Sequence, residues 1–127
     1  MSAETEQPRQ GPDAIDADVT LARVGGDVDL LQEIIRLFLE ECPQLMDKIR
    51  VALADGDAGQ MQMAAHTLRG SVSNFGASAA VEAARQLEAT ARTQDLKGAA
   101  PMLQTLEQEI ERVSSALQGL LHARPAV

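Results

Sequence analysis

The sequence predicts an all-α protein: an antiparallel four-helix bundle preceded by a short extra helix. Hydrophobic residues form 45% of the chain and are mostly Ala, Leu, Val and Met, with two Phe and no Tyr or Trp. Ala and Leu favour helices, and the β-branched or aromatic runs typical of strands are missing. Apolar residues recur at spacings of three and four, which is the helical period, and Gly, Pro and Asp-Gly punctuate them.

A short helix and a long helix are predicted first. The short one runs from about Asp16 to Val24, and the long one runs from Asp27, its N-cap, to Ala54. The phase of the long helix continues through Pro43, although a proline inside a helix costs about 3 kcal/mol. We therefore expect one helix bent at Pro43, with two helices meeting near Glu41 as the alternative. Its apolar stripe comprises Leu30, Leu31, Ile34, Phe38, Cys42, Leu45, Ile49 and Leu53.

The third helix is predicted over Ala58–Phe75. Asp57 and Gln60 before it resemble a capping box, and Gly76 closes it in a left-handed conformation. Ser78 is expected to cap a fourth helix over Ala79–Thr93.

A last helix begins after the break at Lys97-Gly98, with Pro101 in its first turn. Its apolar residues alternate spacings of four and three, which favours antiparallel packing at roughly 20°. They are Leu103, Leu106, Ile110, Val113, Leu117 and Leu120.

Length and charge limit the kinds of protein that fit. The 127 residues suffice for one domain with a modest core, and we place this domain at residues 15–122. Residues 1–14 are expected to be a disordered tail or linker, and 123–127 a disordered C-terminal tail. The net charge of −8 argues against nucleic-acid binding and against anionic membrane surfaces.

Further features favour a cytoplasmic protein, which we expect to be a monomer. Residues 1–14 contain no apolar signal-peptide core, and no apolar stretch is long enough to span a bilayer. The single Cys42 excludes an internal disulfide, which suits a reducing compartment.

The segment around His66 contains the strongest candidate for a functional site. On a helix, Arg69 and Gly70 share the face of His66, whereas Met61, Ala65, Leu68, Val72 and Phe75 point toward a core. Gln62 and Ser73 lie on the polar face with the imidazole. A phosphoryl group on the ring would need three things: access to the ring, a compensating cation such as Arg69, and room for a partner such as Gly70 leaves. The guanidinium fork of Arg69 suits phosphoryl oxygens, and a glycine inside a helix often marks close approach of another group.

Other chemistries fit less well. A metal site is not expected, because the only other histidine is His122 and Cys42 is the only cysteine. No phosphate-binding loop is present, so the chain is not expected to take phosphate from ATP. A nucleophilic pair of Cys42 and His66 is disfavoured because Cys42 lies on an apolar stripe, and the five methionines are interpreted as core residues.

Several segments resemble the histidine-containing phosphotransfer (HPt) domain of bacterial multistep phosphorelays. The specific part is His66-Thr67-Leu68-Arg69-Gly70-Ser71, with Gly76 ten residues after the histidine and Leu87-Glu88 beyond it. Gly25-Gly26-Asp27, Phe38-Leu39-Glu40-Glu41 and Leu53-Ala54-Asp55-Gly56-Asp57 also agree in order and spacing.

The resemblance implies a role for each site residue. His66 is the phosphoacceptor, Arg69 stabilises the phosphorylated ring, and Gly70 leaves space for the partner's loops. Glu88 and Arg92 fall where the family often places polar residues near the histidine. Arg69 departs from the commoner lysine; the charge is kept, but the geometry of the phosphate contact differs.

The implied function is a phosphoryl relay between receiver-domain aspartates. His66 would attack the phosphoaspartate of a docked receiver, and Mg²⁺ would belong to that receiver, so the chain needs no cofactor of its own. It would be a carrier without an ATP site, with response-regulator receivers and a hybrid sensor histidine kinase as partners.

Two alternatives remain open from the sequence. One is an adaptor of this shape that binds a receiver without turning over phosphate, although the presence of both His66 and Arg69 speaks against it. The other is the phosphoacceptor domain of a chemotaxis-type histidine kinase.

Overall fold

The computed structural model describes residues 14–122, in which five helices and no strand are found. Their bounds are α1 Ala17–Arg23, α2 Val28–Asp55, α3 Ala58–Ser73, α4 Ser78–Arg92 and α5 Ala99–His122. The predicted all-α fold with a short N-terminal helix is confirmed. Apart from Ala14, the two predicted tails lie outside the described residues. None of the helices over 14–122 combines the length and apolar character needed to cross a membrane.

Helices α2 to α5 form the bundle, because each packs against the next and α5 returns to α2. The apolar seam of α5 is confirmed from Leu103 to Leu117, whereas Leu120 is only half-buried. The five core residues predicted for the third helix are all at most 1% exposed, although α3 ends at Ser73 and Phe75 lies just beyond it: Met61, Ala65, Leu68, Val72 and Phe75. The polar side of α3, with His66, is therefore left facing outward.

Helix α2 differs in detail from the predicted stripe. Phe38, Cys42 and Ile49 are buried as predicted, but Leu30 is 41% exposed. The predicted Leu31, Ile34, Leu45 and Leu53 are only partly buried, and the core instead includes Ile35, Met46 and Ala52. The physical reason is that α2 packs against both α3 and α5. Its buried face is therefore wider than one stripe and is rotated by about one residue relative to the predicted stripe.

Pro43 lies inside α2, which runs unbroken from Val28 to Asp55. The alternative of two helices meeting near Glu41 is therefore wrong. The bend at Pro43 stays a prediction.

The turn chemistry at α3 and α4 is partly as predicted. The Asp57 side chain accepts from Gln60 N at 3.0 Å, but Asp57 N donates to Ala52 O, so only half of the capping box forms. The prediction that Ser78 caps α4 is wrong: the N-cap is Ala77, which makes no side-chain cap bond. Ala77 is fully buried, so core packing decides which residue stands at this position.

Gly76 joins the first helix to the bundle. Its φ of 61° confirms the predicted left-handed conformation. A Cβ at this position would lie 2.7 Å from Cβ of Asp16, and Asp16 N donates to Phe75 O at 2.8 Å. Beside this contact, the rings of Phe38 and Phe75 pack edge to face with centroids 5.2 Å apart. The turn after α3 thus holds the start of α1.

Candidate functional site

His66 stands on the outer face of α3, near the middle of the helix. Its side chain is 65% exposed, whereas Ala65 and Leu68 on the same helix are fully buried. Helical periodicity separates these directions, because burying the apolar residues forces the imidazole toward solvent. The ring is therefore accessible to a macromolecular partner.

Glu88 on α4 links the polar groups of the site. Leu87 and Ala91 bury their side of α4 against the core, and the tight packing of α3 on α4 leaves the Glu88 side chain only 6% exposed. Its Oε1 accepts from Nε of Arg69 at 2.8 Å. Its Oε2 lies 2.9 Å from Nδ1 of His66 and accepts from Nη2 of Arg92 at 3.2 Å. One carboxylate thus joins His66 and both arginines.

The two partners from α3 keep this carboxylate ionised. Burial by itself raises the pKa of Glu88, but the hydrogen bonds from Arg69 and His66 outweigh burial and hold the pKa below its ordinary value. Glu88 is therefore a hydrogen-bond acceptor at neutral pH.

Nδ1 of His66 faces a donor and an acceptor at once. Nη2 of Arg69 lies 3.0 Å from Nδ1, on the same atom that lies 2.9 Å from Oε2 of Glu88. A guanidinium only donates and a carboxylate only accepts, so a neutral ring satisfies one of them at a time. When Nδ1 carries the proton, it donates to Glu88 and Nε2 has the free lone pair. When Nε2 carries the proton, Nδ1 accepts from Arg69.

The remaining predicted site residues lie on the same helix but make no bond to the imidazole. Gly70 is exposed, and a Cβ there would meet nothing within 4 Å. Ser73 donates from Oγ to Gly70 O at 2.7 Å. Across residues 14–122, no hydrogen bond joins Gln62 or Ser73 to His66. The structure therefore brings Arg69, Glu88 and Arg92 to His66 and leaves open surface at Gly70.

Sequence reasoning missed two features of this surface. Met63, three residues before His66, is 67% exposed, so its interpretation as a core residue is wrong, whereas Met46 and Met61 are buried. The position of Met63 between Gln62 and His66 on the polar side of α3 was an available signal. The family resemblance placed Glu88 near the histidine, but its burial and its central position between His66 and the two arginines had no signal in the sequence, because they depend on how α4 is rotated against α3.

The other chemistries considered from the sequence involve Cys42 or a metal ion. Cys42 lies on α2 and is only 3% exposed in the core of the bundle, and burial raises the pKa of its thiol to about 11. In the part of the chain that is described, no group of three or more His, Cys, Asp and Glu side chains is arranged to hold a metal ion.

Comparisons with known proteins agree with the helical-bundle fold. Among solved structures, the chain is similar to histidine-containing phosphotransfer protein B (HptB) from Pseudomonas aeruginosa PAO1, with a TM-score of 0.83 and 22% identity over 91% of this chain and 100% of that one. It is also similar to the HPT domain of a sensor hybrid histidine kinase from Shewanella, with a TM-score of 0.77 and 23% identity over 89% and 97% of the two chains. No curated protein matches the sequence.

The two structural matches establish the shape of the bundle, and the sequence itself establishes the family. The sequence profile of the Hpt domain matches residues 33–116, a span that includes His66, Arg69, Gly70 and Glu88. The chain therefore belongs to the Hpt domain family of histidine phosphotransfer domains.

Proposed function

We propose that this chain relays a phosphoryl group between receiver-domain aspartates through Nε2 of His66. The observation that carries the proposal is the combination of an exposed imidazole and a buried carboxylate. The His66 side chain is 65% exposed, while its Nδ1 lies 2.9 Å from a Glu88 carboxylate that is 6% exposed. Nδ1 is thus occupied by protein groups, and Nε2 is the nitrogen left for a phosphoryl donor.

The transfer needs one nucleophile and no acid from this chain. The lone pair of Nε2 attacks phosphorus, the P–N bond forms, and the P–O bond to the receiver aspartate breaks with its electron pair leaving on the carboxylate. The proton on Nδ1 stays in place, so the phosphorylated ring carries a positive charge. Glu88 beside Nδ1 stabilises that charge and favours the tautomer in which Nε2 is nucleophilic.

Arg69 is proposed to stabilise the transferred group. A phosphoryl group adds up to two negative charges to a chain whose net charge is already −8. Nη2 of Arg69 lies 3.0 Å from Nδ1 of the same ring, and rotation of this side chain is proposed to bring it to a phosphoryl oxygen. Gly70 would leave room for the receiver's loops.

The partner would supply the rest of the chemistry. We propose that the receiver holds Mg²⁺, that this chain binds no cofactor and no ATP, and that it acts as a monomer in the cytoplasm, where receivers and hybrid kinases present their aspartates. Reversal of the same step would pass the phosphoryl group to a second receiver aspartate.

A transfer assay with two histidine variants tests the proposal. Purified receiver domains labelled with ³²P-acetyl phosphate are mixed with the wild-type chain, His66→Gln or His122→Gln, and acid-labile label on this chain is scored. Label is expected on the wild-type chain and on His122→Gln but not on His66→Gln. Label retained by His66→Gln would overturn the proposal. Receiver binding without label on any variant would indicate the adaptor instead.

A further inference from the structure

Two arginines share the buried carboxylate at the site, and they share it unequally. Arg69 bonds Oε1 of Glu88 at 2.8 Å through Nε, and its side chain is 34% exposed. Arg92 bonds Oε2 at 3.2 Å through Nη2, and its side chain is 60% exposed. Of the two, only Arg69 also reaches the imidazole, at 3.0 Å from Nδ1.

Phosphorylation creates a conflict for Arg69. The guanidinium that would stabilise the phosphoryl group is the one that neutralises Glu88 in the resting site. The Glu88 side chain is only 6% exposed, so removal of a neighbouring cation leaves a buried negative charge that water does not compensate. This raises the free energy of the site. In the proposed phosphorylated state Nδ1–H of the ring keeps its bond to Oε2, but Oε1 loses its donor, so Arg69 leaves Glu88 more readily if a second cation also stays there.

Arg92 meets that need from the neighbouring turn of α4. It lies four residues after Glu88 on the same helix, so its contact with Oε2 is made within α4, although Nδ1 of His66 approaches the same oxygen at 2.9 Å. Its longer bond and greater exposure leave it able to tighten when Arg69 departs.

We propose that Arg92 is a positioning residue that holds the charge of Glu88 while Arg69 moves to the phosphoryl group of phospho-His66. The inference rests on the proposed function and adds a division of labour between the two arginines. Arg92 does not touch the phosphoryl group. It acts through Glu88: by staying beside the carboxylate, it lowers the free energy needed to move the Arg69 guanidinium from Glu88 to the phosphoryl group.

The test measures the lifetime of phospho-His66 in a background with a single reactive histidine. The His122→Gln chain is phosphorylated with phosphoramidate, the donor is removed, and loss of the phosphohistidine signal is followed by ³¹P NMR at pH 7.5. Arg92→Gln is compared with Arg85→Gln, a matched control on α4 whose guanidinium pairs with the exposed Glu82.

Arg92→Gln is expected to shorten the lifetime by about two- to fivefold, the effect of one partly exposed ion pair. Arg85→Gln is expected to leave it unchanged, and Arg92→Lys to restore most of it through charge alone. Because Arg92 acts through Glu88, adding Arg92→Gln to a Glu88→Gln chain is expected to have no further effect. A second readout is the Nε–H resonance of Arg69 in ¹⁵N spectra, which is expected to shift on phosphorylation as its bond to Glu88 is lost.

Each other result has a definite meaning. Equal lifetimes for Arg92→Gln and Arg85→Gln overturn the inference, as does an Arg92→Gln effect that persists at full size in the Glu88→Gln chain. A third result separates the two proposals. If receivers fail to label the wild-type chain but these lifetimes change as expected, the proposed relay is overturned, whereas the role of Arg92 at Glu88 is retained.

Discussion

Glu88 follows His66 by 22 residues in the sequence, yet its Oε2 lies 2.9 Å from Nδ1 of the imidazole. This contact crosses from α4 to α3 and orients the ring from its buried side. The family resemblance placed Glu88 only near the histidine. The contact shows that its carboxylate lies beneath the phosphoacceptor and between two arginines.

Replacement of Glu88 tests the electrostatics of the site through its pH dependence. The pKa of Glu88 is lowered in the folded chain, so its stabilising contribution is complete above the ordinary value of 4.5 and is lost as pH falls through the lower folded value. Glu88→Gln is expected to cost about 1.5–2 kcal/mol at pH 7, the lower part of the range for hydrogen bonds to charged groups. The difference from the wild-type chain should shrink below pH 4.5.

Urea unfolding at pH 7, 5, 4 and 3 measures this difference. Glu82→Gln is the matched control on α4, because Glu82 also pairs with an arginine but is exposed. A Glu88→Gln deficit that stays constant down to pH 3 would contradict the assigned ion pairing.

Enlargement of Gly70 tests whether its open surface receives a partner. A Cβ at Gly70 meets nothing within 4 Å, so Gly70→Gln is expected to fold normally and gain up to about 1 kcal/mol of helix propensity. Phosphoryl transfer from a receiver is nevertheless expected to slow, because the new side chain occupies the space beside His66. The control is Gly59→Gln, on the same face of α3 but about three turns away. Equal transfer rates for both variants would assign Gly70 no role in docking.

Met63 offers a separate test of the docking surface. An apolar side chain that is 67% exposed beside the phosphoacceptor is expected to be buried by a docked receiver. Met63→Asp should weaken receiver binding by about tenfold, the equivalent of 1.4 kcal/mol. Gln108→Asp makes the same charge change at an exposed position of α5, a helix that packs mainly against α4 and α2. Comparable losses for the two variants in calorimetry would show that charge alone is responsible.

Gly76 is expected to be the glycine least tolerant of substitution. Gly76→Ala places a side chain at φ 61° and brings its Cβ to 2.7 Å from Cβ of Asp16. Gly56→Ala is the control, since Gly56 has φ 68° but nothing within 4 Å. The left-handed conformation costs each variant about 1–2 kcal/mol, and the clash adds a further loss only at Gly76. Thermal unfolding that gives both variants the same midpoint shift would contradict the contact between α1 and the α3–α4 turn.

Local chemistry in the sequence was sufficient for the helices and for one half of the site. Composition and apolar spacing predicted all five helices within two residues at nearly every end, and the placement of His66, Arg69 and Gly70 on one face follows from helical geometry alone. Residues three and four apart are neighbours in any α-helix, so no tertiary information is needed to bring them together.

Packing between helices decided the rest. The remaining features depend on how one helix is rotated and shifted against another. They are the burial of Glu88 with its bonds to His66, Arg69 and Arg92, the width of the buried face of α2, and the contact of Gly76 with Asp16. Helical periodicity specifies which side of each helix is apolar. The rotation within that side is set by the fit of all side chains in the shared core, which is a property of the assembled bundle.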